Sequence, residues 1–307
     1  MGARDFQHLL WLMFLLGLGT SAMFVASANY ISCWGDERRK TLYQGCYGAS
    51  FSGGAGLALL ASPLALDLFG WMGLYLLPGS FLAMGLVFLW TMAEEPLLKR
   101  ESEYLRPREI LRVWDLRLLM LGLCMFSTWG TFLVLGGWLT EYFLKGQGQV
   151  FWASATLSGI AVLLGGLGRA LGGALTPRGW ERRFIGGAFL LSGAAALGLA
   201  SSPGLLSSAA LATAAIVSSS FVFAPVLRLT TLLTDIRAMG TALGLILFLG
   251  TLLTSLFPPA FGHLLDLTGH FEKSLILMAV IPLIGAAAIF FVREGRASSS
   301  PWPKRVL

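Results

Sequence analysis

Nine apolar stretches, each long enough to cross a bilayer, leave this chain almost no freedom of fold. They run at about 9–33, 43–63, 71–92, 116–139, 151–175, 184–201, 203–227, 239–261 and 272–292. A hydrocarbon core about 30 Å thick takes roughly 20 residues of helix, and inside it every backbone N–H and C=O must be satisfied without water. The expectation is therefore an all-α membrane protein with nine transmembrane helices. Composition agrees, since 12% of the 307 residues are charged where soluble domains carry about 25%. Short connections with turn chemistry, such as "SSPG" at 201–204, "KGQG" at 145–148 and "DLTGHFEK" at 266–273, leave no room for a soluble domain.

Lysine and arginine orient the helices, because loops on the cytoplasmic side retain them. Eighteen of the 22 fall on one side: Arg38 to Lys40, the run from Lys99 to Arg117, Arg178, Arg182, Arg183, Arg228, Arg237, Arg293, Arg296, Lys304 and Arg305. Arg4, Lys145 and Lys273 fall on the other, and Arg169 lies inside a helix. This puts the N-terminus outside and the C-terminus in the cytoplasm of a multi-pass protein of the cell membrane. The net charge of +6 is then a topology signal spread over separate inner segments, and no nucleic-acid partner is expected. A signal-peptide reading competes at the start, where "VASA" (25–28) resembles a cleavage site. Cleavage there would move "DERRK" (36–40) to the outer face, against the alternation of the later loops.

An internal repeat organises the spans. Residues 35–95 run from a charged inner turn through a Gly/Ser/Ala-rich helix, Pro63, and Asp67 three before Gly70, to an apolar helix ending in Glu94–Glu95. Residues 234–294 keep that order with "TDIR", a Gly/Thr-rich helix, Pro258–Pro259, Asp266 three before Gly269, and "VRE". Parallel repeats are a known way of building transporters. Helices one to three then match seven to nine, and four to six have no counterpart, so three further helices are expected in front. Ten of the 22 residues of 93–114 are charged, which marks the linker. The expected organisation is a partial N-terminal bundle (1–92), a charged cytoplasmic linker (93–115), a six-helix bundle (116–293) and a cytoplasmic tail (294–307).

"GGALTPRGWERR" (172–183) resembles the cytoplasmic signature turn of the major facilitator superfamily, roughly G-x-x-x-D-R-x-G-R-R. The resemblance covers helices four to twelve of the family plan, which implies an incomplete 3+6 version of its two six-helix halves. Gly173, Arg178, Arg182 and Arg183 match by type; Pro177 stands where the family has aspartate, and one extra residue precedes the arginine pair. "GGWLTEYFLKGQG" (136–148) and "ANYISCW" (28–34) resemble the cyanate and nitrate-type porters at scattered positions, too few to name a substrate.

Physical chemistry gives the turn two readings. Glycines at 165, 168, 172 and 173 let their helix approach a neighbour closely. Gly172, Gly173, Arg178, Arg182 and Arg183, with Arg169 and Asp235, then form a gating group whose arginines pair with acids or helix-end carbonyls in one state and lose them in another. The alternative is a positive-inside anchor. Arg169, about six residues from the inner end of its span, has three readings: snorkelling to the surface, pairing with an inner acid such as Asp235 or Asp36, or contact with an anionic substrate. Polar and aromatic residues at mid-depth offer a substrate path: Ser21, Ser50, Ser52, Thr128, Trp129, Ser218, Phe221 and Thr251.

Enzyme chemistry is not expected, since His8, His263 and His270 fall at the outer surface and no metalloprotease or phosphate-loop motif occurs. Neither cofactor nor metal is expected; Cys33, Cys46 and Cys124 have no ligand spacing. The reading is a secondary active transporter of a small solute, its partners a small-molecule or ion substrate and membrane lipid. The alternative is a truncated, non-transporting homologue or a subunit that needs a missing N-terminal segment or a complementing chain.

Overall fold

The computed structural model describes residues 5–33, 37–92, 115–176, 179–201, 204–234 and 238–292. Asp36, Arg178, Asp235, all of 93–114 and the tail 294–307 lie outside the described residues. Among the described residues every regular element is helical: α1 (Phe6–Cys33), α2 (Glu37–Phe69), α3 (Gly73–Met92), α4 (Leu116–Gly146), α5 (Phe151–Leu175), α6 (Glu181–Ala200), α7 (Leu205–Leu233), α8 (Met239–Thr268) and α9 (Phe271–Phe291).

Eight segments of the described residues are long and apolar enough to cross a membrane, because Thr41–Thr91 runs on for 51 residues. It does not run straight. Gly70 takes φ 59°, a short 3-10 turn follows at Gly70–Met72, and a Cβ on Gly73 would lie 2.5 Å from the carbonyl oxygen of Ala65. Residues eight apart in a straight helix are separated by about 12 Å, so α3 folds back from the end of α2. Gly269, in the corresponding place of the second stretch, also has a positive φ, 70°, and donates its N–H to the Leu265 carbonyl before α9 begins.

Several spans outrun their expected ends. Pro63 lies inside α2, and Pro258 and Pro259 lie inside α8, so the helices continue to Phe69 and Thr268. Proline forfeits one hydrogen bond, whereas stopping in hydrocarbon would strand several backbone groups. α4 reaches Gly146 rather than 139 through two π-helical turns, Thr131–Leu135 and Tyr142–Gly146. α7 continues to Leu233 but breaks at Phe221–Val222, where Pro225 has no N–H for the Phe221 carbonyl four residues earlier.

Glycine sets the packing around α5. On one face Gly159, Gly166 and Gly173, seven residues apart, meet α2: added Cβ atoms would lie 2.7 Å from Leu60, 3.1 Å from Ala49 and 2.5 Å from Thr41. On another face Gly165, Gly168 and Gly172 meet Ile216, Val217 and Phe221 of α7. The glycine stripe thus serves two neighbours, and its missing side chains let both approach closely. α1 is tied to α2 by Tyr47 Oη donating to the Phe24 carbonyl (3.1 Å) and Gln44 Nε2 donating to that of Ala28 (2.9 Å). α1 and α3 otherwise present Trp11, Phe14, Phe81 and Trp90 outward, as lipid-facing helices do.

Candidate functional site: a caged arginine between two segments

Arg169 does not snorkel: it is completely buried. Its α5 turn is pressed against α2, and Gly48 leaves room for the side chain, since a Cβ there would lie 3.1 Å from Arg169 Cδ and 2.5 Å from the Phe223 ring. Four aromatic rings surround the guanidinium, with centroids 4.6 Å (Phe132), 4.8 Å (Trp129), 4.8 Å (Phe223) and 5.9 Å (Phe51) from Cζ. Phe24 of α1 closes the cluster by edge contacts to Trp129 (5.6 Å) and Phe223 (6.4 Å). Arg169 donates from Nη1 to the Gly48 carbonyl at 3.3 Å. Its Nε and Nη2 are buried and have no hydrogen-bond partner among the described residues.

That arrangement is costly for a charge. A guanidinium taken out of water loses several kcal/mol unless paired, and cation–π contacts return roughly 0.5–2 kcal/mol each. No carboxylate among the described residues forms an ion pair with it. The pairing expected with Asp235 or Asp36 falls on residues outside the description. Two polar groups packed around this turn, Trp129 Nε1 and Ser220 Oγ, are likewise buried without partners among the described residues. Ser220 packs against α5 one turn before Arg169, its Oγ 3.3 Å from where a Gly165 Cβ would be. Trp129 and Phe132 flank the start of the first π-helical turn of α4, a distortion often found at functional sites. The cage draws on both sides of the linker: Phe24, Gly48 and Phe51 come from 1–92, and Trp129, Phe132, Arg169 and Phe223 from 116–293.

A second constellation lies around the turn between α5 and α6. Glu181, buried at the start of α6, pairs with Arg228 of α7 at 3.3 Å. Arg182 donates from Nη2 to the Phe290 carbonyl (2.6 Å) and from Nε to that of Ile289 (3.4 Å), at the end of α9, where the Ile289 oxygen also accepts from the Val292 N–H. Arg183 stacks on Trp180, 4.4 Å from the ring centroid. Thr176 donates its hydroxyl to the Gly172 carbonyl.

The sequence profile of the Major Facilitator Superfamily matches residues 1–258. The chain belongs to that superfamily, a family of membrane transporters. Its fold is similar to that of the human organic anion transporter MFSD10 (TM-score 0.75, 18% identity, covering 94% of this chain and 72% of that one). It is also similar to the E. coli fucose:proton symporter FucP (TM-score 0.70, 14% identity, 95% and 78%). A bacterial homologue of the human lysosomal transporter Spinster shares the fold more distantly (TM-score 0.54, 14% identity, 87% and 72%). No curated protein sequence matches the chain.

Within this superfamily chain, Trp129 and Arg169 come together at the cage. Ser52 is buried beside Gly166 and bonds the Gly48 carbonyl at 3.4 Å, on the helix that supplies Gly48 and Phe51. Thr128 donates to the Ser219 carbonyl (2.7 Å) and pins α4 to α7 behind the cage. Ser218 spends its hydroxyl on Ala214 within its own helix. Phe221 sits at the break of α7 with its ring against Phe184 and its carbonyl against Gly172. Ser21, Ser50 and Thr251 are exposed, the last two bonding Tyr47 and Leu247 carbonyls of their own helices. Sequence reasoning missed Phe24, Phe51, Phe132 and Phe223 as cage walls, and the Glu181–Arg228 pair. The i, i+3 spacing of Trp129 and Phe132 is the one local signal that two rings share a face.

Proposed function

We propose that this chain is a secondary active transporter that moves a small solute by alternating access, with 1–92 and 116–293 rocking about the α2–α5 glycine contact. One observation carries the reading: a buried cation with unspent donors sits between side chains of both segments, where alternating access requires a solute site. Fold likeness to transporters named for organic anions and for fucose supports a small solute as cargo. Treating α2 and α3 as separate crossings gives nine, with the N-terminus outside, the C-terminus in the cytoplasm and the cell membrane as location. The inner turn, through Arg182 and its carbonyl partners, holds the cytoplasmic end of 116–293 as one body during rocking.

The test is two-sided access. In a background without Cys33, Cys46 and Cys124, a Trp129→Cys variant in membrane vesicles of either orientation should react with a membrane-impermeant thiol reagent from both faces. Reaction from one face only, under every solute tried, refutes the rocking mechanism.

A further inference from the structure

The geometry points to Arg169 as the recognition group for a small oxyanion, a carboxylate or a planar relative such as nitrate, held on its Nε/Nη2 edge. This rests on the transporter reading above and names its substrate class.

The argument starts from which nitrogens are free. Nη1 is engaged by the Gly48 carbonyl, while Nε and Nη2 are buried and unpartnered among the described residues. Those two N–H groups point the same way in the guanidinium plane and form the fork that matches the two oxygens of a carboxylate. A lysine ammonium offers no such edge. Two further hydrogen-bonding groups, buried without partners among the described residues, sit on side chains packed around Arg169: Trp129 Nε1, on a ring that covers the guanidinium, and Ser220 Oγ, beside the preceding turn of α5. A site built to neutralise a cation permanently would place a carboxylate here, and the ion pairs among the described residues lie elsewhere, at Asp115, Glu141 and Glu181. Four rings around a fully buried guanidinium make a bound anion's charge count for more, while limiting the ligand to a compact head group with a flat or apolar body. The cage also spans both segments, so an anion that neutralises Arg169 draws them together around itself.

The experiment is a thermal-stability and uptake comparison on the full chain, purified and reconstituted. Probes are sodium lactate, benzoate and nitrate, with lactamide and benzamide as neutral counterparts and sodium chloride at matched ionic strength. At least one oxyanion should raise the melting midpoint by about 2 °C or more, with no response to the amides or to chloride. Arg169→Gln should fold, because a neutral side chain relieves the burial of charge, and should lose that response. Arg169→Lys, keeping the charge without the fork, should weaken apparent affinity about tenfold or more. Trp129→Phe, keeping the ring without the N–H, should weaken it less. An equal response to amide and carboxylate, a full response in Arg169→Gln, an undiminished one in Arg169→Lys, or none to any oxyanion overturns the inference. Saturable uptake of a neutral solute such as fucose by the same proteoliposomes, without oxyanion binding, leaves the transporter reading standing and defeats the anion inference alone.

Discussion

The carbonyl oxygen of Phe221 lies so close to Gly172 that a Cβ on the glycine would be 2.1 Å away. The chain makes that approach possible twice over: Pro225 cannot donate to the Phe221 oxygen, and Gly172 has no side chain to hold α7 off. Gly172→Ala should therefore destabilise the protein by about 1–3 kcal/mol, and Gly172→Val by more. Melting of the detergent-purified protein measures this. Gly187, with nothing within 4 Å of an added Cβ, is the control, and its alanine variant should be neutral or slightly stabilising.

Glu181 and Arg228 should be energetically coupled. The carboxylate is buried and the arginine partly exposed, at 5% and 21%, so deleting one partner should cost about 1–3 kcal/mol, below the figure for a fully enclosed pair. Removing both should cost less than the sum of the single changes. A double-mutant cycle of Glu181→Gln and Arg228→Met, read by thermal midpoint, checks it; strict additivity would show that the pair contributes nothing.

Arg182 should protect the last turn of α9. Its two hydrogen bonds go to the Ile289 and Phe290 carbonyls of that turn, where the only other donor among the described residues is the Val292 N–H, to Ile289. In Arg182→Ala, amide exchange should quicken at the end of α9 and stay unchanged in α4. Uniform exchange throughout would show that the arginine serves charge placement alone.

Orientation follows from the lysine and arginine distribution. A cysteine replacing Gly146, at the end of α4, should label with an impermeant reagent in intact cells, and one replacing Gly179 only after permeabilisation. The opposite pattern would invert the topology and put the arginine turn outside.

The sequence by itself determined the class of fold and the approximate spans, and it supplied an expectation for the inner and outer sides of the loops and for a helix–turn–helix repeat. Each depends on a short window: about twenty apolar residues against a fixed bilayer thickness, basic residues against a membrane surface, or Asp67–Gly70 and Asp266–Gly269, whose glycines both adopt positive φ. It also singled out Arg169 and Trp129, because a cation and an indole N–H are costly to bury wherever their helix turns.

Tertiary structure alone decided what surrounds them. In water, amphipathic periodicity tells which face of a helix is buried; here the lipid-facing side is as apolar as the core, so Phe132 and Phe223 look no different in sequence from lipid-facing Phe81 or Phe290. Their rotation is set by backbone contacts between distant helices, at Gly45, Gly166 and Gly172, and those contacts exist only once α2, α5 and α7 have packed.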